Sequence, residues 1–473
     1  MSSQWGRLPA FREGTLPRFP GWWTALGPGI IWMALAQGSG ELIWWPYLIA
    51  KYGLAFLWLL IPACLLQVPI NYAIGSYTLL TGETIFQGFI RLNRSVAALL
   101  WFLMTLSFLW FGAFASAGGT ALAALTNFPS GWDERGQTLF WGYSSMAICF
   151  VALVASRIVY RVVERIMWVV AVVTVFGLVI ACSHPTVIAA LPQFTRGLTV
   201  PHWPPPRPWD PADATKLLTA ITFAGLGGFW TLFYSYWLRE KGAGMAKFMG
   251  HVEGLAGRHE VSFHAGMVPK DSRGTEIARW RRFLAVDSSI GILGNVLTTL
   301  MTCLLAYAVL HPQGLLPDKY QLAVVQSRFF EVSWGQAGRI LFLVIAAAFL
   351  ADTWMATADA VARIHTDCLQ SFFPSTRRWS IHRCYRVCLV LLTCVTAVTM
   401  SLGEPGPLIL LSALIGFLGT VVFAILLYAL THRYLPSVLS RRLCPQRASA
   451  LGLLVAGFAY AALAGAYVWV RLH

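Results

Sequence analysis

The chain has 473 residues, of which 57% are hydrophobic and only 12% charged, with 21 Trp and 29 Phe. That composition excludes a soluble domain of this size. The net charge of +15 is spread over six separate places along the chain, which excludes a nucleic-acid surface and points to membrane topology instead.

The N-terminal stretch "MSSQWGRLPAFREGTLPRFPGWW" lacks a compact apolar core with a small-residue cleavage site, so the first apolar run is expected to be retained as a helix. Eleven apolar segments follow, at roughly 24–50, 53–78, 96–127, 138–156, 158–183, 214–238, 284–311, 336–366, 384–402, 407–432 and 447–470. A run of ~20 apolar residues crosses ~30 Å of hydrocarbon, so the pattern predicts an all-α polytopic membrane protein embedded in the lipid bilayer. With the N-terminus inside, about three quarters of the Lys and Arg fall on the inner side. That bias predicts a cytoplasmic N-terminus and an extracytoplasmic C-terminus, in the plasma (inner) membrane. The nine cysteines form no CxxC pair and read as packing residues.

Residues 1–23 read as a cytoplasmic segment, 24–183 as a first set of five helices, and 184–213 as an outer loop. Residues 214–432 read as a second set of five, containing an inner loop at 239–283, and 433–473 as a linker with the eleventh helix. The outer loop carries "PHWPPPRPWDP", expected to be extended and stiff. The inner loop carries nine basic residues with His251, His259 and His264. Those histidines are not four apart as a helical metal pair would be, so a solvated loop beside anionic headgroups is the expectation.

Segments 1 and 6 each begin a five-helix half, and both are interrupted by glycine. In segment 1 the motif is "AQGSGELIWWP", with Gly38, Ser39 and Gly40 followed by Glu41. In segment 6 it is "FAGLGGFWT", with Gly225, Gly227 and Gly228. Glycine inside a helix costs ~1 kcal/mol against alanine, so clustered glycines favour unwinding. An odd number of helices per half inverts the second half, and paired interruptions in inverted repeats mark a transporter's binding site. The alternative is that the glycines only let helices pack closely.

Few ionisable groups lie deep in the apolar segments. Glu41 follows the first interruption, while Asp352 and Asp359 share one face of segment 8. An ionised carboxylate in hydrocarbon costs at least ~2.5 kcal/mol, and no Lys or Arg is expected at the same depth. Protonation or a mobile cation must then compensate, which makes Asp352 and Asp359 candidates for a proton or cation pathway. Asp287, near the inner end of segment 7, is expected to meet water. Trp44, Trp45, Phe229, Trp230, Tyr234, Tyr236 and Trp237 surround the two interruptions in sequence, and such rings hold an organic cation or simply pack. No HExxH, Walker sequence or nucleophile elbow occurs, so an enzyme is not expected and no cofactor is implied.

The stretch "GPGIIWMALAQGSGELIWWPYLIAKYGLAFLWLLIPACLLQVPINYAIGSYTLLTGE" resembles the first two helices of the Nramp divalent-metal transporters. The opening Gly27-Pro28, the broken motif, the turn at Tyr52-Gly53 and Gly82 keep the family register. The resemblance implies a LeuT-like fold, two inverted five-helix repeats plus an eleventh helix, with alternating access around a central site. The departures fall on the metal ligands. Where the family has Asp-Pro-Gly-Asn, this chain has Gly38, Ser39, Gly40 and Glu41; where it has Met-Pro-His, this chain has about Phe229, Trp230 and Thr231. The family's helix 3 acids align with about Ala113 and Ser116.

The expected site thus comprises Gly38, Ser39, Gly40, Glu41, Gly227, Gly228, Phe229, Trp230, Thr231 and Asn71, with Glu41 the carboxylate for any metal. Loss of the sulfur ligand disfavours selective binding of bare soft metals. A hard hydrated cation needs only one or two carboxylates, and a metal complex suits a reshaped pocket. The expected function is a secondary transporter of a metal cation or metal complex, with protons as an optional partner. A small organic solute is the alternative substrate, and a non-transporting membrane sensor of the same fold the alternative role.

Overall fold

The computed structural model describes the chain except residues 1–6, 37, 39–41, 157, 202–208, 254, 256–265, 271–273, 318–320, 446 and 473. The first apolar segment gives α1 (Pro28–Ala36) and α2 (Leu42–Tyr52). Next come α3 (Leu60–Thr81), the short α4 (Ile85–Leu92), and α5 (Arg94–Phe108) continuing as α6 (Gly112–Thr126). Helices α7 (Glu134–Ala155) and α8 (Val159–Cys182) complete the first half, and α9 (Pro185–Thr199) lies between the halves. The second half holds α10 (Asp213–Phe223), α11 (Phe233–Lys241), α12 (Gly274–Leu305), α13 (Arg328–Phe372), α14 (Ile381–Met400) and α15 (Pro405–Tyr428). Helix α16 (Arg447–Leu472) ends the chain. Among the described residues, ten helices are long and apolar enough to cross a membrane; α1 and α2 together hold the place of the eleventh. Large apolar side chains such as Val169 and Phe176 on α8 and Phe458 on α16 point outward, as lipid-facing surfaces do. The chain is an integral membrane protein with two five-helix repeats of opposite orientation plus a last helix.

The bundle is held by close backbone approach. Helix α13 packs across α6, α8 and α14, while α12 packs against α1 and α3. The small-residue run of α6 permits this: a Cβ on Gly119 would run into the Thr138 carbonyl of α7, and one on Gly118 would lie 3.2 Å from the Ala347 carbonyl of α13. Helix α13 bends at Gly335, whose φ of 56° and ψ of −138° are open to glycine.

Asp287 does not meet water. It is fully buried on α12 and caps α1: its oxygens accept from the backbone N–H of Gly27 (3.3 Å) and Gly29 (2.8 Å) and from the Tyr234 hydroxyl (2.9 Å). A carboxylate at a helix N-terminus satisfies donors that have no partner within the helix and complements the dipole.

Both long loops are more structured than their composition implies. In the outer loop, Pro185 at the first helical position and His184, accepting from Thr186 N–H (3.4 Å), start α9; most of the proline run lies outside the described residues. The inner loop is not simply solvated. Its strand β2 (Met267–Pro269) pairs in parallel with β1 (Arg12–Gly14) of the N-terminal segment. That segment is further tied down where Trp280 donates to Pro17 O (2.8 Å), Arg91 to Pro9 O (2.8 Å) and Arg377 to Arg7 O (3.0 Å). His259 and His264 lie outside the described residues, and His251 is exposed. Among the described residues no three of His, Cys, Asp or Glu converge as a metal site.

Candidate substrate site at the helix breaks

The second glycine cluster breaks its helix. Helix α10 stops at Phe223, and α11 begins at Phe233 after a 3-10 turn, Gly228–Leu232. Three residues between have positive φ: Gly225 (71°), Leu226 (61°) and Gly228 (66°). Leucine is strained there, and its buried side chain holds it in place. Gly227 has no room for a side chain, because a Cβ would strike the Thr222 carbonyl and lie 2.7 Å from Gln67 Nε2.

A broken helix inside a membrane must have its peptide groups met by side chains or ligands. Here Asn295 of α12 accepts from Gly225 N–H (3.1 Å), and Trp32 of α1 donates its indole N–H to Gly225 O (3.1 Å). Thr231 donates its hydroxyl to Asn71 Oδ1 of α3, and Gln67 pairs with Tyr460 of α16. Buried polar capacity is left over: Asn71 Nδ2, Asn295 Nδ2 and Gln67 Oε1 have no partner among the described residues. Of this amide set only Asn71 was expected. Gln67 and Asn295 were not, nor was the Trp32 indole; for the two amides, a polar side chain within an apolar run was the available signal.

At the first glycine cluster, Ser39, Gly40 and Glu41 lie outside the described residues. Gly38 is described: a Cβ there would collide with Thr353 Oγ1 of α13. One turn further along α13, Thr357 accepts from the indole N–H of Trp230 (3.3 Å). The same helix therefore touches both interrupted segments through two threonines four residues apart.

Trp230 fills the space beside the second break. Its ring is fully buried, with Phe108 at 4.7 Å, Phe223 at 5.0 Å and Phe114 at 6.1 Å between centroids. Phe229 turns away instead into α15, where Gly419 makes room for its ring. The other rings disperse. Tyr234 reaches Asp287, Tyr236 reaches Asp367 (3.0 Å), and Trp44, Trp45 and Trp237 are buried.

The two acids of α13 differ sharply. Asp359 has a fixed cation, contrary to expectation: Arg363, one turn on, donates Nε to both its oxygens (3.0 and 2.9 Å), and Tyr385 of α14 donates to Oδ1 (2.7 Å). Arg363 is 4% exposed and its other arm lies 2.7 Å from Glu240 of α11. Asp352 is 2% exposed, and neither oxygen has a hydrogen-bond partner among the described residues. Its neighbour Thr353 donates its hydroxyl to Phe349 O (2.8 Å) instead.

On the side opposite the N-terminal segment, buried Asp213 joins α10 to α2 through Lys51 (2.6 Å) and Tyr52 (2.7 Å), with Lys216 at 2.9 Å. These pairs link the outer arms of the two interrupted segments.

No protein-family model matches the sequence, and no curated protein matches it. Solved structures do. The chain resembles a mutant manganese transporter of Eremococcus coleocola at 14% identity and TM-score 0.58, over 98% of this chain and 97% of that one. The same transporter with an aromatic bis-isothiourea substituted compound gives 13% identity and TM-score 0.59 over 97% of each chain. MhsT in complex with L-phenylalanine gives 16% identity and TM-score 0.58, over 94% of this chain and 97% of that one. The fold is LeuT-like.

Proposed function

We propose that this chain is a secondary transporter that carries a metal cation or metal complex across the membrane by alternating access. The site lies between the interruptions at Gly38–Glu41 and Gly227–Thr231. The observation that carries the reading is the broken second segment, whose Gly225 peptide is held by Asn295 and Trp32 while amide groups of Asn71, Asn295 and Gln67 stay buried and unpartnered. A polar gap of that kind in a membrane helix suits a passenger with its own ligands or waters. Glu41 supplies the charge, and Ser39, Thr231 and Asn71 supply neutral oxygens. The likeness in fold to a manganese transporter supports this direction. In this reading the N-terminus is cytoplasmic and the protein sits in the plasma membrane.

An organic solute is the second reading, favoured by one observation: an aromatic ring, Trp230, stands at the break where a metal site would place a sulfur or oxygen. Binding calorimetry on the purified protein with Mn²⁺, Mg²⁺ and their small-acid chelates separates the readings. The metal reading expects saturable heat with at least one of them, lost in Glu41→Gln. No heat with any metal form overturns it in favour of the organic solute.

A further inference from the structure

We infer that Asp352 is the proton-carrying group of this transporter, and that Asp359 is not. The inference deepens the transport reading and rests on it.

Three observations converge. First, Asp352 is buried with both oxygens unpartnered, whereas Asp359 is locked by Arg363 and Tyr385. A carboxylate with a permanent cation has no reason to exchange protons, while one in hydrocarbon without a cation must take one. Second, among the described residues no free charged group faces Asp352 from α6, α7, α8 or α14. Helix α6 has no ionisable residue between Gly112 and Thr126. From α7 the facing group is the thiol of Cys149, which lies 3.7 Å from the Ala351 carbonyl. Glu164 on α8 is occupied by Lys241 (2.6 Å), and Tyr385 on α14 by Asp359. Third, Asp352 sits close to both glycine clusters: its neighbour Thr353 abuts Gly38, and Thr357, one turn on, accepts from Trp230 at the second break. A change of charge there acts on the helix that touches both interrupted segments.

The step balances simply. The carboxylate takes one proton from water on one side, becomes a neutral acid that crosses the apolar interior cheaply, and gives the same proton back to water on the other side.

Two measurements on the full chain test this. Infrared difference spectra across a pH titration in nanodiscs should show the carbonyl stretch of a protonated carboxyl, lost in Asp352→Asn, restored at a shifted frequency in Asp352→Glu and unchanged in Asp359→Asn. Spectra in which Asp352→Asn keeps the band overturn the inference whatever the substrate is. In vesicles with an entrapped pH dye, Mn²⁺ entry should be accompanied by acidification in the native protein, and Asp352→Asn should lose the acidification per Mn²⁺ that enters. Acidification that survives in Asp352→Asn also overturns it. Native vesicles that take up no Mn²⁺ count against the metal reading, and the infrared result then decides on Asp352 alone.

Discussion

Arg363 offers the sharpest test of the helix α13 geometry. Its guanidinium serves two carboxylates at once, Asp359 through Nε at 2.9–3.0 Å and Glu240 at 2.7 Å. All three side chains are buried. Replacing Arg363 by Met keeps much of the volume and leaves two acids without their cation. Removing one partner of a buried pair costs about 3–5 kcal/mol, because the charge left behind has no compensation. Asp359→Asn alone should cost less, because Arg363 keeps Glu240 and the amide oxygen still accepts from Tyr385. The double variant should recover part of the Arg363→Met loss, with a coupling of about 1–3 kcal/mol in a double-mutant cycle. Equilibrium unfolding in mixed micelles, titrated with SDS, reads each term. An Arg363→Met variant within about 0.5 kcal/mol of the native protein, the range of an ordinary surface change, or a double variant that is simply the sum of the two, refutes this coupling.

Further outcomes follow from single contacts. Gly227→Ala should prevent folding or cost more than about 3 kcal/mol, since its Cβ meets a fixed carbonyl, while Gly314→Ala, with positive φ but open space around it, should cost only about 1 kcal/mol; expression and size-exclusion profiles separate them. Asn295→Ala should destabilise by about 1–3 kcal/mol, the penalty of one buried N–H left without a partner at Gly225, read by the same SDS titration. Trp230→Ala should cost about 3–5 kcal/mol, whereas Trp230→Phe should cost less and chiefly lose the bond to Thr357. Asp287→Ala removes the acceptor of two backbone N–H groups and one hydroxyl; hydrogen exchange should rise at the start of α1 and not in α15.

The bundle was legible because long apolar runs have only one use in a bilayer, and because Gly225, Gly227 and Gly228 announce a break by clustering. The partners of that break were harder to see. Asn295 and Trp32 meet the N–H and the C=O of Gly225 from 70 and 193 residues away in sequence, and nothing local marks either as a partner. Arg363 was overlooked for a related reason. It lies three residues from the end of the expected segment 8, yet α13 runs on to Phe372, which puts the arginine inside the bundle within one turn of Asp359. Asp287 was misplaced in the same way: helix α12 starts at Gly274, so a residue expected near the inner water lies beneath the N-terminus of α1.

These placements bear on how the two interrupted segments are joined to the rest of the bundle. The second has its break pinned from behind by neutral amides and its outer arm tied to α2 through Asp213 and Lys51. At its other end Lys241 pairs with Glu164 of α8 and Glu240 faces Arg363 of α13. The outer arms of the two segments are thus bonded to each other, while the inner arm of the second is bonded to the surrounding helices. In the proposed alternating access, an opening that moves the second segment away from α8 and α13 parts the inner pairs, whereas one that moves the two outer arms together keeps the Lys51–Asp213 pair intact. Of these pairs Arg363–Glu240 is the most buried, its side chains 3% and 7% exposed, against 17% and 16% for Lys241–Glu164 and 27% and 1% for Lys51–Asp213. Separating buried charges costs more than separating charges in contact with water, so of these contacts the one between Arg363 and Glu240 is the costliest to part.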